Sequence, residues 1–242
     1  VLHKIGLDEA SLQCGVHTPF HKPTARRLRR AGEPIGPARN ACSGKHAAML
    51  ALCRHRGWDT AGYLELGHPV QQLMLRTVAQ LTGYPAEAIR TGRDTCGVPV
   101  FAVPLRNMAQ GYARLAGAGG SAGEQRRGIA LIQEAMARYP ELIAGTERYT
   151  TALLKTANGA LVAKDGAEAS FGVGSIPAGI GVAVKIEDGS DRALAPVVTE
   201  VLAELSLLDE GALQALSPFR SYAIKTWGGL TAGRLEAVPF FK

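Results

Sequence analysis

GALVAKDGAEASFGVGSIPAGIGVAVKIEDGS, Gly159 to Ser190, is the stretch that decides the architecture. Val, Ala, Ile and Phe recur there in short alternating or continuous runs, and glycine-containing turns separate the runs. Antiparallel strands leave this pattern, because successive side chains face opposite sides of a sheet. Upstream the period changes. Ser43 to Arg56 predicts a helix with Ser43 as its cap, Met49, Leu50, Leu52 and Cys53 on its apolar face, and Gly57 as its stop. Pro69 opens a second helix, in which Val70, Leu73, Met74, Thr77, Val78 and Leu81 keep a three- and four-residue spacing as far as Gly83. Two more helices are expected near Leu105 to Ala116 and Gln125 to Tyr139, joined by a flexible turn over Gly117 to Gly123. Arg192 to Leu208 returns to helix, and SYAIKTWGGLTAGRLEAV reads as a last strand pair. Helices followed by strands, then a helix and more strands, predict an α+β fold with helices packed on an antiparallel sheet, in one domain over residues 1–242.

Composition narrows the class. With 46% hydrophobic and 20% charged residues, a chain of 242 residues buries a full core and is not disordered. No apolar run approaches the roughly 20 residues that span a bilayer, and Val1 to Leu12 has neither the basic start nor the apolar middle of a signal peptide. A cytoplasmic protein with no membrane partner is expected. The opening VLHKIGLDEASL lacks an initiator methionine and reads as the end of a helix that begins elsewhere, so a fragment is expected too. The net charge is +6, and Arg26, Arg27, Arg29 and Arg30 form its dense cluster. Without interleaved aromatic residues this is a solvated helix face, and no nucleic-acid partner is expected. Cys14, Cys42, Cys53 and Cys96 are too few for a disulfide scaffold of this size, which leaves core filling or metal ligation.

The densest chemistry lies in NACSGKHAAM, Asn40 to Met49. It is not a phosphate loop of the G-x-x-x-x-G-K-[ST] kind: Arg39 stands where the first glycine belongs, and His46 follows Lys45 where a hydroxyl is needed. Ser43 as a nucleophile needs a base within reach, and Lys45, two residues on, points elsewhere on a helix; a cap or a substrate contact is the better reading. Cys42 and Lys45, three apart, share one helix face. Cys96 lies in GRDTCGVP, a stretch rich in turn formers that also offers Arg93 and Asp94. Two thiolates and a neutral nitrogen would suit an open zinc site, whereas cysteines this far apart in sequence are ordinarily core residues; both readings stand. Lys164, beside Asp165 and Gly166, is either a strand-borne donor to a ligand carboxylate or a surface lysine at a hairpin.

Taken in order, KIGLDEASLQCGVHTPF, NACSGKHAAMLA, GHPVQQLM, DTCGVP, LVAKDGAEASFGVG and GVAVKIEDGS resemble the asparaginase II family, the Rhizobium-type L-asparaginases, over nearly the whole chain. The resemblance implies a fold similar to serine β-lactamases and penicillin-binding proteins, of which this sequence would hold the C-terminal two thirds. It implies hydrolysis of the side-chain amide of L-asparagine to aspartate and ammonia, and a homodimer. It implies a zinc cofactor with Cys42, Lys45 and Cys96 as ligands, Ser43, His46 and Asp94 beside the metal or the substrate, and Lys164 as the lysine of the family's K-x-G-A-E block, comparable to the K-T-G lysine of β-lactamases. The chain also departs from the family. No Ser-x-x-Lys spacing occurs in its 242 residues, so the acyl-enzyme serine and its lysine base are absent from them and the chain is expected to carry about half the site. Ala169 and Ser170 stand where relatives carry glycine and a branched apolar residue, which puts the hairpin packing in question. A glutaminase, a β-lactam-recognising acyl-enzyme and a non-catalytic zinc-stabilised remnant are the alternative functions.

Overall fold

In the computed structural model, which describes residues 1–117, 119 and 122–240, the chain gathers into two compact units where the sequence reading has one domain. Unit 1 is Val1–Gln80 with Tyr84–Val103, and unit 2 is Leu81–Gly83 with Pro104–Lys242. Helices and small antiparallel sheets make up both, an α+β composition.

Unit 1 is mostly helical. Helix α1 (Lys22–Ala31) buries only Leu28, and its four arginines are exposed, as a solvated face requires. Helix α2 (Ser43–Arg56) keeps the predicted span but not the predicted cap. Cys42 occupies the capping position with no side-chain hydrogen bond into the helix, and Ser43 is already the first helical residue. The chain reaches this point through a turn in which Ser43 N–H donates to Asn40 O, and that places the helix start one residue early. Gly57, at φ 67, stops the helix by taking the left-handed conformation that a side chain resists. Helix α3 (Pro69–Thr82) starts on its proline as expected. The turn formers of GRDTCGVP lie in a hairpin. Strands β1 (Arg90–Arg93) and β2 (Pro99–Ala102) pair antiparallel and hold Asp94–Val98 as the turn between them. Leu12, Met49, Leu50, Tyr63, Val70 and Val98 pack with Cys14, Cys53 and Cys96 as the core.

Unit 2 is layered on the sheet that the opening stretch predicts: β3 (Leu161–Gly166), β4 (Ser170–Ser175) and β5 (Ile180–Lys185), antiparallel in that order. Helix α4 (Leu105–Leu115) lies so close to one face that glycine is required there. A Cβ on Gly181 would sit 1.9 Å from the carbonyl oxygen of Ala109, and one on Gly172 would sit 1.8 Å from the Tyr112 ring. The other face carries Ala163, Phe171 and Val173 into an apolar core. Leu153 and Leu154 of α7 (Tyr149–Ala157), Leu194, Val198 and Leu202 of α8 (Leu194–Glu204), and Leu208, Ala212 and Leu216 beyond them join that core; α5 (Gly123–Arg138) and α6 (Pro140–Ala144) precede α7 in the chain. The β3–β4 turn holds Glu168 at φ 57 and the buried Ala169 at φ 50, so alanine occupies a left-handed position that glycine would take without strain. Short helices α9 (Glu210–Ala215) and α10 (Ser217–Arg220) lead to β6 (Ser221–Lys225) and β7 (Thr231–Glu236), the predicted last pair. Part of the turn expected over Gly117 to Gly123 lies outside the described residues. No helix among the described residues is long and apolar enough to cross a membrane.

Candidate metal centre

Unit 1 brings together the two cysteines that the sequence leaves far apart. Cys42 Sγ, Cys96 Sγ and a carboxylate oxygen of Asp94 all lie within 4.8 Å of one another. Local geometry explains the convergence. Cys42 stands at the start of α2, held by its N–H donating to Asn40 Oδ1 at 2.7 Å. Cys96 and Asp94 stand in the turn between β1 and β2, which closes through Asp94 N–H to Val98 O at 2.9 Å and Gly97 N–H to Asp94 O at 2.8 Å. Gly97 has φ 89, a value that suits glycine and lets the turn present both side chains to the same side. Lys45, one helical turn after Cys42, reaches in with Nζ and donates to Asp94 Oδ2 at 3.4 Å. The Cys96 thiol donates to the same oxygen, also at 3.4 Å.

Electrostatics follow from this crowding. Burial pushes the Cys96 thiol up, against the Val98 backbone hydrogen bond and the Lys45 charge, so it stays protonated here. Burial works against the ammonium of Lys45 too, but Cys42, Cys96 and Asp94 outweigh it and the net shift is upward. For Asp94 burial is overcome by the Cys96 and Thr95 hydrogen bonds and by Lys45, which hold its carboxyl below the ordinary range. Two thiols, an amine and a carboxylate are a donor set that fits a tetrahedral zinc ion, once the sulfurs and the nitrogen give up their protons to it. Metal uptake by such a set would release protons and depend on pH.

The remaining predicted residues fall in three different places. Ser43 is half-buried beside Cys42 at the helix start. His46 is wholly enclosed, with Nδ1 2.6 Å from the Tyr63 hydroxyl, so direct contact with a soluble substrate is closed to it. Burial first, and the Lys45 charge second, lower it to about 4 and keep it neutral. Lys164 belongs to unit 2. It is exposed on β3 with Nζ donating to Asp165 O at 2.6 Å and to Asp165 Oδ1 at 2.9 Å; Arg148 and Thr150 also donate to that carboxylate, each at 3.1 Å. Sequence reasoning missed Asn40 and Tyr63. Asn40 is buried and bonds Cys14, Gly15 and Cys42 at once, and its place two residues before Cys42 is the one signal that could have found it. Tyr63, in the connection between α2 and α3, carries no local signal.

A sequence model of the L-asparaginase II family matches residues 1–237 of the 242. A search of curated proteins gives no match. With nearly all of its length covered, the chain belongs to the L-asparaginase II family.

Proposed function

We propose that this chain serves an L-asparagine amidohydrolase as its metal- and substrate-holding part, with zinc bound by Cys42, Lys45 and Cys96 and with Asp94 against it. The observation that carries the reading is the approach of two thiols and a carboxylate to within 4.8 Å of one another, with an amine 3.4 Å from that carboxylate. Family membership supplies the reaction class, amide hydrolysis. The antiparallel sheet of unit 2, with α4 on one face and α7 and α8 on the other, supports a framework like that of serine β-lactamases.

When bound, the zinc ion would supply a fixed positive charge that orients the amino-acid end of the substrate. Asp94 keeps an oxygen at the edge of the centre, where it can accept from an α-ammonium group once Lys45 has turned to the metal. Cys42 and Cys96 hold the helix start and the turn at a fixed separation. Lys164 offers an exposed ammonium that can donate to a carboxylate, and Asp165 orients it. Side-chain amide cleavage through a serine acyl-enzyme requires a hydroxyl with a base beside it, and these 242 residues contain no Ser-x-x-Lys spacing. The reading therefore gives this chain the binding half of the chemistry.

Elemental analysis of the purified chain tests the reading: about one zinc per chain is expected, and less than a tenth of that in Cys42→Ser or Cys96→Ser. Absence of zinc from a folded wild type defeats the metal assignment. No ammonia release from asparagine is expected of the 242-residue chain alone; turnover by it would defeat the assignment of the nucleophile. Ammonia release from asparagine against glutamine, together with β-lactam labelling, separates the amidohydrolase from its relatives.

A further inference from the structure

Behind the thiols, unit 1 encloses a run of polar contacts where apolar packing would serve stability as well. Tyr63 is wholly buried, yet its hydroxyl is engaged twice: it accepts from Gln13 N–H at 2.9 Å and lies 2.6 Å from His46 Nδ1. The assignment that uses both groups most fully has the phenol accept from Gln13 N–H and donate its hydrogen to Nδ1, which leaves the imidazole proton on Nε2. That Nε2 has no partner among the described residues, although the ring is fully enclosed. An unmet buried donor costs about 1–3 kcal/mol, so the arrangement calls for a reason other than stability.

The residues at the two ends of the run suggest one. His46 directly follows Lys45, and its N–H donates to Cys42 O at 3.1 Å, so fixing the imidazole fixes the first turn of α2. Gln13 and Leu64 meet the other half of the centre. A Cβ on Gly97, the residue after Cys96, would lie 3.0 Å from Leu64 Cδ1 and 4.0 Å from Gln13 O. Tyr63 therefore meets the first turn of α2 through its hydroxyl, while its chain neighbour Leu64 and its partner Gln13 lie beside Gly97 of the β1–β2 turn.

We propose that Tyr63 is a positioning residue for the thiol cluster: through His46 on one side and Gln13 and Leu64 on the other, it sets the separation of Cys42 and Lys45 from Cys96 at which a divalent cation is caught. The inference rests on the metal reading above and deepens it. Removal of the hydroxyl keeps the ring and its packing but frees α2 and the turn to drift relative to each other. Supporting groups behind metal ligands characteristically change affinity by 10–100-fold.

Cobalt(II) titration of the metal-free full chain, followed by its thiolate charge-transfer and d–d bands, provides the test. Wild type takes up one cobalt. Tyr63→Phe binds it roughly 10–100-fold more weakly with shifted bands. His46→Gln, whose side chain can still accept from the Tyr63 hydroxyl, gives a smaller loss and keeps the test alive if Tyr63→Phe fails to fold. Tyr149→Phe removes the hydroxyl of a half-buried ring, 2.9 Å from Thr199 Oγ1 in unit 2, so it controls for lost stability and leaves affinity and bands unchanged. Equal cobalt affinity and identical bands in wild type and both unit 1 variants overturn the inference. A folded wild type that takes up no cobalt overturns the metal reading and the inference with it.

Discussion

The two units hold their cores together by different means. In unit 2, Leu153, Leu154, Leu161, Phe171, Val173, Val198, Leu202 and Leu216 are all essentially inaccessible and contact one another across a helix–sheet layer. Such a core is stabilised in proportion to the apolar area it removes from water. Unit 1 seats Tyr63, His46, Gln71 and Asn40 among its apolar residues, and three of its core members are cysteines. Gln71 donates to Tyr63 O at 2.8 Å and the Tyr63 hydroxyl hydrogen-bonds His46 Nδ1 at 2.6 Å, so these groups fix directions as well as volume. The difference teaches where geometry is demanded: unit 1 keeps the side chains of Cys42, Asp94 and Cys96 within 4.8 Å of one another beside these directional contacts, whereas the core of unit 2 needs only to be filled.

The largest effect that sharpens this contrast is expected from Phe171→Ala. Phe171 is fully buried at the centre of the β3–β4–β5 sheet, with the Tyr149 ring 5.7 Å away. Truncation removes the ring and leaves a cavity that close-packed neighbours cannot refill, for a loss of about 3–5 kcal/mol in urea denaturation. Wild-type cobalt affinity is expected in the same variant, because the centre lies wholly in unit 1. A loss under about 1 kcal/mol would show that unit 2 is not held by apolar burial in the way described.

The same contrast governs what could be read from sequence. The strands of unit 2 were legible because Ala163, Phe171 and Val173 alternate with residues of the other face, and a period of two survives without knowledge of the neighbours. Helices α6 and α7 were not. Gly145 and the left-handed Glu147 interrupt the segment, and each piece is too short to show a 3.6-residue period. In the site, the three-residue step from Cys42 to Lys45 was legible as one helix face, since helix geometry alone decides it. The arrival of Cys96 was not, because it depends on β1 and β2 pairing to aim the Asp94–Val98 turn. Family resemblance supplied that pairing of cysteines; spacing did not. His46 shows the limit from the other side. The family resemblance left it beside the metal or the substrate; the helix turns it into the core toward Tyr63, a partner 17 residues away whose position no local pattern encodes.

A middle-sized effect tests a motif that both units carry. Each has an aspartate holding a lysine: Asp94 with Lys45 at 3.4 Å and Asp165 with Lys164 at 2.9 Å. Asp94 is also engaged by a thiol, whereas Asp165 is engaged by Arg148 and Thr150. Burial opposes the charge on Asp165, and Lys164 and then Arg148 overcome it, leaving the carboxyl below its ordinary range. The sign follows from proton uptake. The unfolded chain binds the proton at higher pH than the folded one, so the stabilisation is complete above the ordinary value of 3.8 and is lost as pH falls through the depressed one. Asp165→Asn is expected to lower stability by roughly 2 kcal/mol at neutral pH and to flatten the acid limb of the stability profile. An unchanged acid limb in urea midpoints measured between pH 5 and pH 2.5 would assign acid sensitivity to other carboxylates.

The smallest effect separates a helix start that a side chain caps from one that no side chain caps. Asp209 stands in extended backbone before α9, and its Oδ1 accepts from Ala212 N–H at 2.7 Å, satisfying a donor that the short helix cannot satisfy itself. Asp209→Ala is expected to cost about 1 kcal/mol, and Asp209→Asn much less, because the amide keeps an acceptor. Cys42 holds the equivalent position before α2 with φ −94 and ψ 0, away from the extended conformation that capping uses, and makes no side-chain bond into the helix. A serine there would therefore bring none of the stabilisation that a hydroxyl usually gives at a helix start. Metal-free Cys42→Ser should match metal-free wild type within about 0.5 kcal/mol by urea denaturation, while Asp209→Ala falls below it. A clear gain in Cys42→Ser would mean that this helix start can adopt ordinary capping geometry, and that its conformation is not set by the tie from Asn40 to the Cys42 N–H.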